Sequence, residues 1–151
     1  MAMLESNMKA QDVIKELKAE KLFDDNNLKR ILSAGADVLR KHIRSAYVAA
    51  GHNRHIDGTF AHIVRPNTLK RDKQDIPYMV VTARGRDDRN QSYNTKAFVL
   101  NYGRKRRATW KRKGGAIQAD YYWTQAVKSA RDVSNAAMRE EAIKILNEQG
   151  G

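Results

Sequence analysis

Cysteine is absent from the 151 residues, so no disulfide and no thiolate metal site is available. Long apolar runs are missing as well, and no stretch approaches the roughly 20 residues that span a bilayer. The opening MAMLESNMKAQDVIKELKAEK reads as charged and helical, without the apolar core of a signal peptide. The expectation is a soluble protein made in a cytoplasm, with no membrane partner. Only two prolines occur, Pro66 and Pro77, and both fall where an element is expected to end or begin. The glycines form no phosphate-binding fingerprint, and no serine or threonine stands in a nucleophile-elbow setting.

Acids are the other scarcity. Seventeen Asp and Glu face 29 Lys and Arg, a formal net charge of +12. The excess is not spread evenly. Residues 1–30 and 121–149 are each balanced, whereas 84–115 holds eleven bases against Asp87 and Asp88, a net of +9. Such a field speaks to solubility and association rather than to fold. Apolar residues make up 41% and charged residues 30%, which suits one compact domain over 1–151 with a modest core, or a subunit that completes its burial in an assembly.

Periodicity supplies the architecture. Val13, Ile14 and Leu17 predict a short amphipathic helix over Ala10–Lys21, so that residues 1–25 form a peripheral helical arm. Asp25 or Asn26 is placed to cap a longer helix over Asn27–Ala50, where Leu28, Ile31, Leu32, Val38, Leu39, Ile43 and Tyr47 share a face with Gly35 and Ala46, and Gly51 ends it. Thr59–Val64 suits a helical turn or a short strand. PYMVVTARG (Pro77–Gly85) is a strand by its β-branched and aromatic content, DDRNQS is turn chemistry, and KAFVLNYG (Lys96–Gly103) is read as a second strand that closes an antiparallel hairpin. Asp120 is a natural cap for a terminal helix over Tyr121–Gln149 with an alanine-rich stripe. The expected fold is α+β: an antiparallel sheet with a long central helix and a long C-terminal helix packed against it, plus a projecting basic loop.

Catalytic chemistry finds little support. His52, His55 and His62 surround Asp57, and a metal-dependent nuclease would want such histidines with carboxylates; Asp72 and Asp75 are the acids to hand. HNRH with no second ligand pair reads instead as solvated loop. Glu140 and Glu141 beside Arg139 and Lys144 read as a salt-bridged helix face. Neither a catalytic site, a metal site nor a cofactor is expected.

The dominant feature is NYGRKRRATWKRKGG. Arg104, Lys105, Arg106, Arg107, Lys111, Arg112 and Lys113 stand around Trp110 with no acid among them, between Gly103 and Gly114–Gly115. Like charges at this density repel and do not bury within their own subunit. They stay in water or meet opposite charge, either phosphate, with Trp110 stacking on a base, or an acidic protein surface. Half of the segment, fully extended, reaches about 20 Å from the body. Tyr121, Tyr122 and Trp123, together at the start of the last helix, read as core or subunit-interface anchors.

The order of these parts resembles the small neck, or tail-completion, proteins at the head–tail junction of long-tailed bacteriophages. AFVLNYG (Ala97–Gly103) and IQADYYWTQA (Ile117–Ala126) carry the resemblance, together with the long helix and the connector DGTFAHIV, over roughly residues 27–145. Where such proteins more typically show apolar-Pro-x-Asp-Thr-Gly-x-Leu, this chain has IDGTF. The resemblance implies a non-enzymatic virion subunit that forms a ring, hexameric or dodecameric. Its implied partners are a portal–adaptor or head-completion ring, a tail-tube protein, and viral DNA passing through the lumen. The basic segment then contacts DNA or clasps the next ring. The rival reading is a nucleic-acid-binding module using Arg104–Lys113.

Overall fold

A computed structural model describes residues 4–9, 24–52, 58–105 and 116–150. The α+β architecture expected from the sequence holds: a four-stranded antiparallel sheet, a long central helix and a long C-terminal helix. Among the described residues the strands are β1 (Glu5–Lys9), β2 (Ile63–Val64), β3 (Lys70–Arg71) and β4 (Pro77–Ala83); the helices are α1 (Asp25–Ala49), α2 (Tyr93–Tyr102) and α3 (Tyr122–Gly150).

α1 forms where the apolar spacing demands it. Asp24, one residue before the expected cap, accepts the Asn27 amide at 2.9 Å, and Gly51 takes a φ of 81° just past the end. One face, from Leu28 through Ile31, Leu32, Leu39 and Ile43 to Tyr47, is buried. α3 runs antiparallel to it. Arg30 near the start of α1 reaches Glu141 at 2.8 Å and Glu148 at 2.9 Å near the end of α3, while Tyr47 at the far end of α1 meets Tyr122 edge-on at 5.6 Å. The hydrogen bonds to Glu148 and then Glu141 raise the Arg30 pKa further above its ordinary range, and Arg30 in turn holds the Glu148 carboxyl low.

Midway along this pair Gly35 lies under Met138. A Cβ on Gly35 would stand 2.6 Å from Met138 Cγ and 2.8 Å from its Sδ, and Met138 is fully buried. The glycine is therefore a packing requirement: it lets the two helices approach closely enough to seal the core between them.

β4 is the central strand. β1 pairs with its Tyr78–Thr82 on one edge. The other edge is shared by β2 at Thr82–Ala83 and β3 at Pro77–Tyr78. Between them five residues, 65–69, stand opposite three, 79–81, so two extra residues bulge out at Pro66, which has no amide proton to offer the ladder. Met79, Val81 and Ala83 face the helices, and Met8 of the first strand and Leu4 just before it join them. The segment Thr59–Val64 is both things expected of it: a 3-10 turn at Phe60–His62 running into β2. Arg44 of α1 pins it, donating to the Ile63 and Ala61 carbonyls at 3.0 and 3.3 Å.

Two expectations are corrected. The start of the chain is not helical over residues 5–9: it is β1, with Leu4, Ser6 and Met8 turned inward and Glu5, Asn7 and Lys9 less buried or exposed. The stretch Lys96–Gly103 is not a strand but most of α2, so no hairpin follows β4. Ser92 caps it, its Oγ accepting the Thr95 amide at 3.3 Å, and the buried row is Tyr93, Ala97 and Asn101, spaced by four. The expected helix over Ala10–Lys21 lies outside the described residues.

The Gly35–Met138 contact makes a signed prediction. Met138→Ala should destabilise by about 2–4 kcal/mol through the cavity it leaves. Gly35→Ala should destabilise the parent chain, because Met138 must be displaced, yet be neutral or stabilising by up to about 1 kcal/mol in the Met138→Ala background, where helix propensity alone remains. Urea denaturation of the four proteins reads the cycle; equal effects of Gly35→Ala in both backgrounds would refute the contact.

Candidate functional site

The strongest sequence feature, the basic segment, is held at its root by a specific construction. α2 ends at Gly103, whose φ is 76° and whose amide donates to the Val99 carbonyl at 2.7 Å. Arg104 and Ile117 then exchange two backbone hydrogen bonds, both 2.8 Å, as an isolated antiparallel bridge. The chain leaves and returns at one point. Gly103 lies so close to the returning strand that a Cβ there would meet the Ile117 carbonyl oxygen at 2.6 Å and the Ala119 amide nitrogen at 2.7 Å. Arg104 and Lys105 are exposed at this root; Arg106, Arg107, Trp110, Lys111, Arg112 and Lys113 lie outside the described residues.

The returning chain enters α3 through a cap supplied from α2. The side-chain oxygen of Asn101 accepts the Trp123 and Thr124 amides at 2.9 and 3.2 Å, its nitrogen donates to Thr124 Oγ1 at 3.0 Å, and its carbonyl accepts the Tyr121 amide at 3.0 Å. Asn101 is wholly buried. The expected cap, Asp120, contributes one bond, accepting the Tyr122 amide at 3.1 Å. Tyr121 is forced to a φ of 56° by this turn.

The three aromatics at the start of α3 part company. Trp123 is buried and donates from Nε1 to Ser6 Oγ at 3.0 Å, tying α3 to β1. Tyr122 is buried and donates to the Ala97 carbonyl at 3.2 Å. Tyr121 is 47% exposed and faces Tyr102, itself beside Phe98, in a chain of rings at the root of the basic segment.

The histidines do not gather. His52 packs between Tyr47 and Tyr122 with Nε2 2.7 Å from Asp120 Oδ2, near enough for an ion pair though not aligned as a hydrogen bond. His62 stacks on Tyr93 at 4.0 Å with Nδ1 2.8 Å from the Gly58 carbonyl, and His42 Nδ1 sits 3.0 Å from the Val38 carbonyl in its own helix. Asp72 accepts the Gln74 and Ile76 amides of its turn, and Asp75 takes a φ of 62° in that same turn. His55 and Asp57 lie outside the described residues. Among the described residues no three His, Asp or Glu side chains form a group that could hold a metal ion, and no helix is long and apolar enough to cross a membrane.

Beside the root lies a groove of about 500 Å³ that the sequence did not reveal. Arg86, Lys96 and Arg104 line it together with Val99, Leu100 and Ile117. The turn before α2 sets one wall. Asp87 Oδ1 accepts the Arg89 and Gln91 amides at 2.9 and 2.8 Å, and Lys96 Nζ donates to Oδ2 at 2.6 Å. Lys96 first, then the backbone amides, hold the Asp87 carboxyl below its usual range. Compared with known proteins, the chain matches no family model, no curated protein and no solved structure.

Two outcomes follow from this geometry. Asn101→Ala should destabilise by about 2–3 kcal/mol or more, since two amides at the start of α3 lose a buried acceptor; an unchanged urea midpoint would show that the cap is dispensable. The Asp87 pKa is depressed on folding, so its contribution is present above the unfolded carboxylate value of about 4 and disappears as pH falls through the lower folded value. The stability gap between the parent chain and Asp87→Asn should therefore be widest near neutrality and shrink in acid. A gap that does not change with pH in thermal melts would contradict the Lys96 pair.

Proposed function

We propose that this chain is a structural virion subunit of the head–tail connector of a long-tailed bacteriophage: a neck or tail-completion protein that assembles as a ring, joins the DNA-filled capsid to the tail, and performs no catalysis. The observation that carries the proposal is the rooted cationic segment. Seven bases stand between Gly103 and Gly114 in the sequence, and the chain on either side of them is joined by a backbone bridge between Arg104 and Ile117, while several bases of the body have acidic partners. Arg30 is paired with Glu141 and Glu148, Arg65 with Asp37, Arg71 with Asp25, and Lys96 with Asp87. A cationic excess of which seven charges of the net +12 fall in one short segment is suited to meeting opposite charge elsewhere.

The long helix, the polar connector, the central strand and the C-terminal helix are in keeping with that reading, whereas AFVLNYG, expected there as a strand, is helical. A ring subunit shares burial with its neighbours, in keeping with the modest apolar fraction and with the exposed Phe60, Tyr102, Tyr121 and Val133. Copies that each carry +12 repel unless an acidic ring or DNA lies beside them. DNA slides through a connector during ejection, which favours a clasp on the adjoining ring over many tight phosphate contacts. The second reading, a nucleic-acid-binding module, rests on the same seven bases.

The deciding measurement is mass spectrometry of virions purified from the phage that encodes the chain, with negative-stain microscopy of the recombinant protein alone and mixed with its neighbours. The chain is expected in tailed particles at ring stoichiometry. Its absence from particles, together with steeply salt-dependent duplex binding that vanishes when the seven bases become Ser or Gln, would replace the connector reading with the nucleic-acid one.

A further inference from the structure

α3 turns Ala130, Ser134, Met138, Ala142 and Ile145 into the core. On its opposite side Val133 is 50% and Ile143 43% exposed, and Ala136 lies between them, also exposed. Spacings of three and seven keep these three on one stripe of the helix. Asp132 and Lys144 flank the stripe, and both are exposed. Neither belongs to an ion pair among the described residues; Lys144 stands one turn before Glu148, which Arg30 already holds. α3 as a whole carries four bases and four acids, in a chain of net +12.

We infer that this stripe is a self-association surface, on which the α3 helices of two copies of the chain pack antiparallel about a two-fold axis level with Met138. Residues equidistant from position 138 then meet. Val133 lies against the partner's Ile143 and Asp132 against the partner's Lys144, and the two-fold repeats each contact. Ala136, close to the axis, lets the helices approach. Apolar side chains meet apolar ones and acid meets base. A parallel pairing would set Asp132 against Asp132 and Lys144 against Lys144, like charge on like. It would also bring the two basic segments together, since each is rooted at the start of α3. In the antiparallel pair those starts stand about 50 Å apart at 1.5 Å per residue, several screening lengths in physiological salt. For a chain of +12, a helix whose charges cancel is where copies meet with least repulsion. A strongly acidic or basic partner gains nothing from so balanced a face. The paired stretch from Asp132 to Lys144 is only about 18 Å long, a patch smaller than the ~800 Å² each partner gives to a standard interface, so the association is weak and depends on concentration.

The contact goes beyond the connector reading and does not depend on it, since pairs form in the isolated chain whatever assembly they enter. Sedimentation equilibrium of the full chain is expected to show a weight-average mass that rises with concentration from monomer toward dimer. Asp132→Lys and Lys144→Asp should each weaken the dimer about tenfold, because two opposite-charge contacts become like-charge ones. The two substitutions together should restore it. Both positions are exposed, so circular dichroism and the urea midpoint should stay near those of the parent chain. Orientation is read separately. With no cysteine in the sequence, Ser129→Cys offers a single site for a spin label. In the antiparallel pair two such labels lie about 30 Å apart, against about 10 Å in a parallel one, a difference that pulsed electron paramagnetic resonance resolves. A monomer at every concentration, a dimer indifferent to both charge reversals, a double variant no tighter than the single ones, or a label separation near that of the parallel pair would each overturn the inference.

Discussion

Asn101 has no contact with water, and its side chain is committed to the first turn of α3. A buried amide in that position is costly unless every group finds a partner, and here the partners are helix-terminal amides that would otherwise be orphaned. Because the cap comes from α2 rather than from the residue preceding α3, the end of one helix is locked to the beginning of the other. Trp123 is thereby delivered to Ser6 and Tyr122 to the Ala97 carbonyl, and the segment between the helices must leave and return through a single gap. The root of the cationic projection, the burial of two large aromatics and the accessible side of α2 all follow from where that amide sits.

The surface ion pairs have a different part. Individually such pairs contribute roughly 0–1 kcal/mol, so they do not explain why the fold holds; the α1–α3 seam and the sheet beneath it do. What the pairs accomplish is neutralisation. Asp25, Asp37, Asp72, Asp87, Glu141 and Glu148 each sit against a base of the body. The largest share of the unbalanced charge, seven of the net +12, belongs to the segment after Gly103, whose root is fixed at the Arg104–Ile117 bridge.

Legibility followed the strength of the periodic signal. α1, β4 and α3 were readable because their buried residues recur at helical spacing, large in α1 and alanine-rich in α3, or are β-branched in a run. β1 was not, because three of its five residues are polar or charged outward positions and only the alternation of Leu4, Ser6 and Met8 marks it as a strand. α2 was misread because FVL followed by Tyr satisfies a two-residue alternation and a helical pattern equally well. Its buried row rests on Ala97 and Asn101, which carry no apolar signature, and the Ser92 cap was the one local sign of a helix. The groove was invisible for the same reason, since it joins Arg86, Lys96, Arg104 and Ile117 from three separated stretches.

By itself the sequence determined the charge distribution, the absence of thiol chemistry, the two long helices and the central strand, because each is a property of composition or of local spacing. Only the tertiary structure decided that the fragment after the turn is helical, that Asn101 caps a helix more than twenty residues away, that Tyr121 stays out while Tyr122 and Trp123 go in, and that three scattered bases line one groove. Those outcomes depend on which groups remain unsatisfied when elements meet, and a one-dimensional pattern does not record the neighbours that satisfy them.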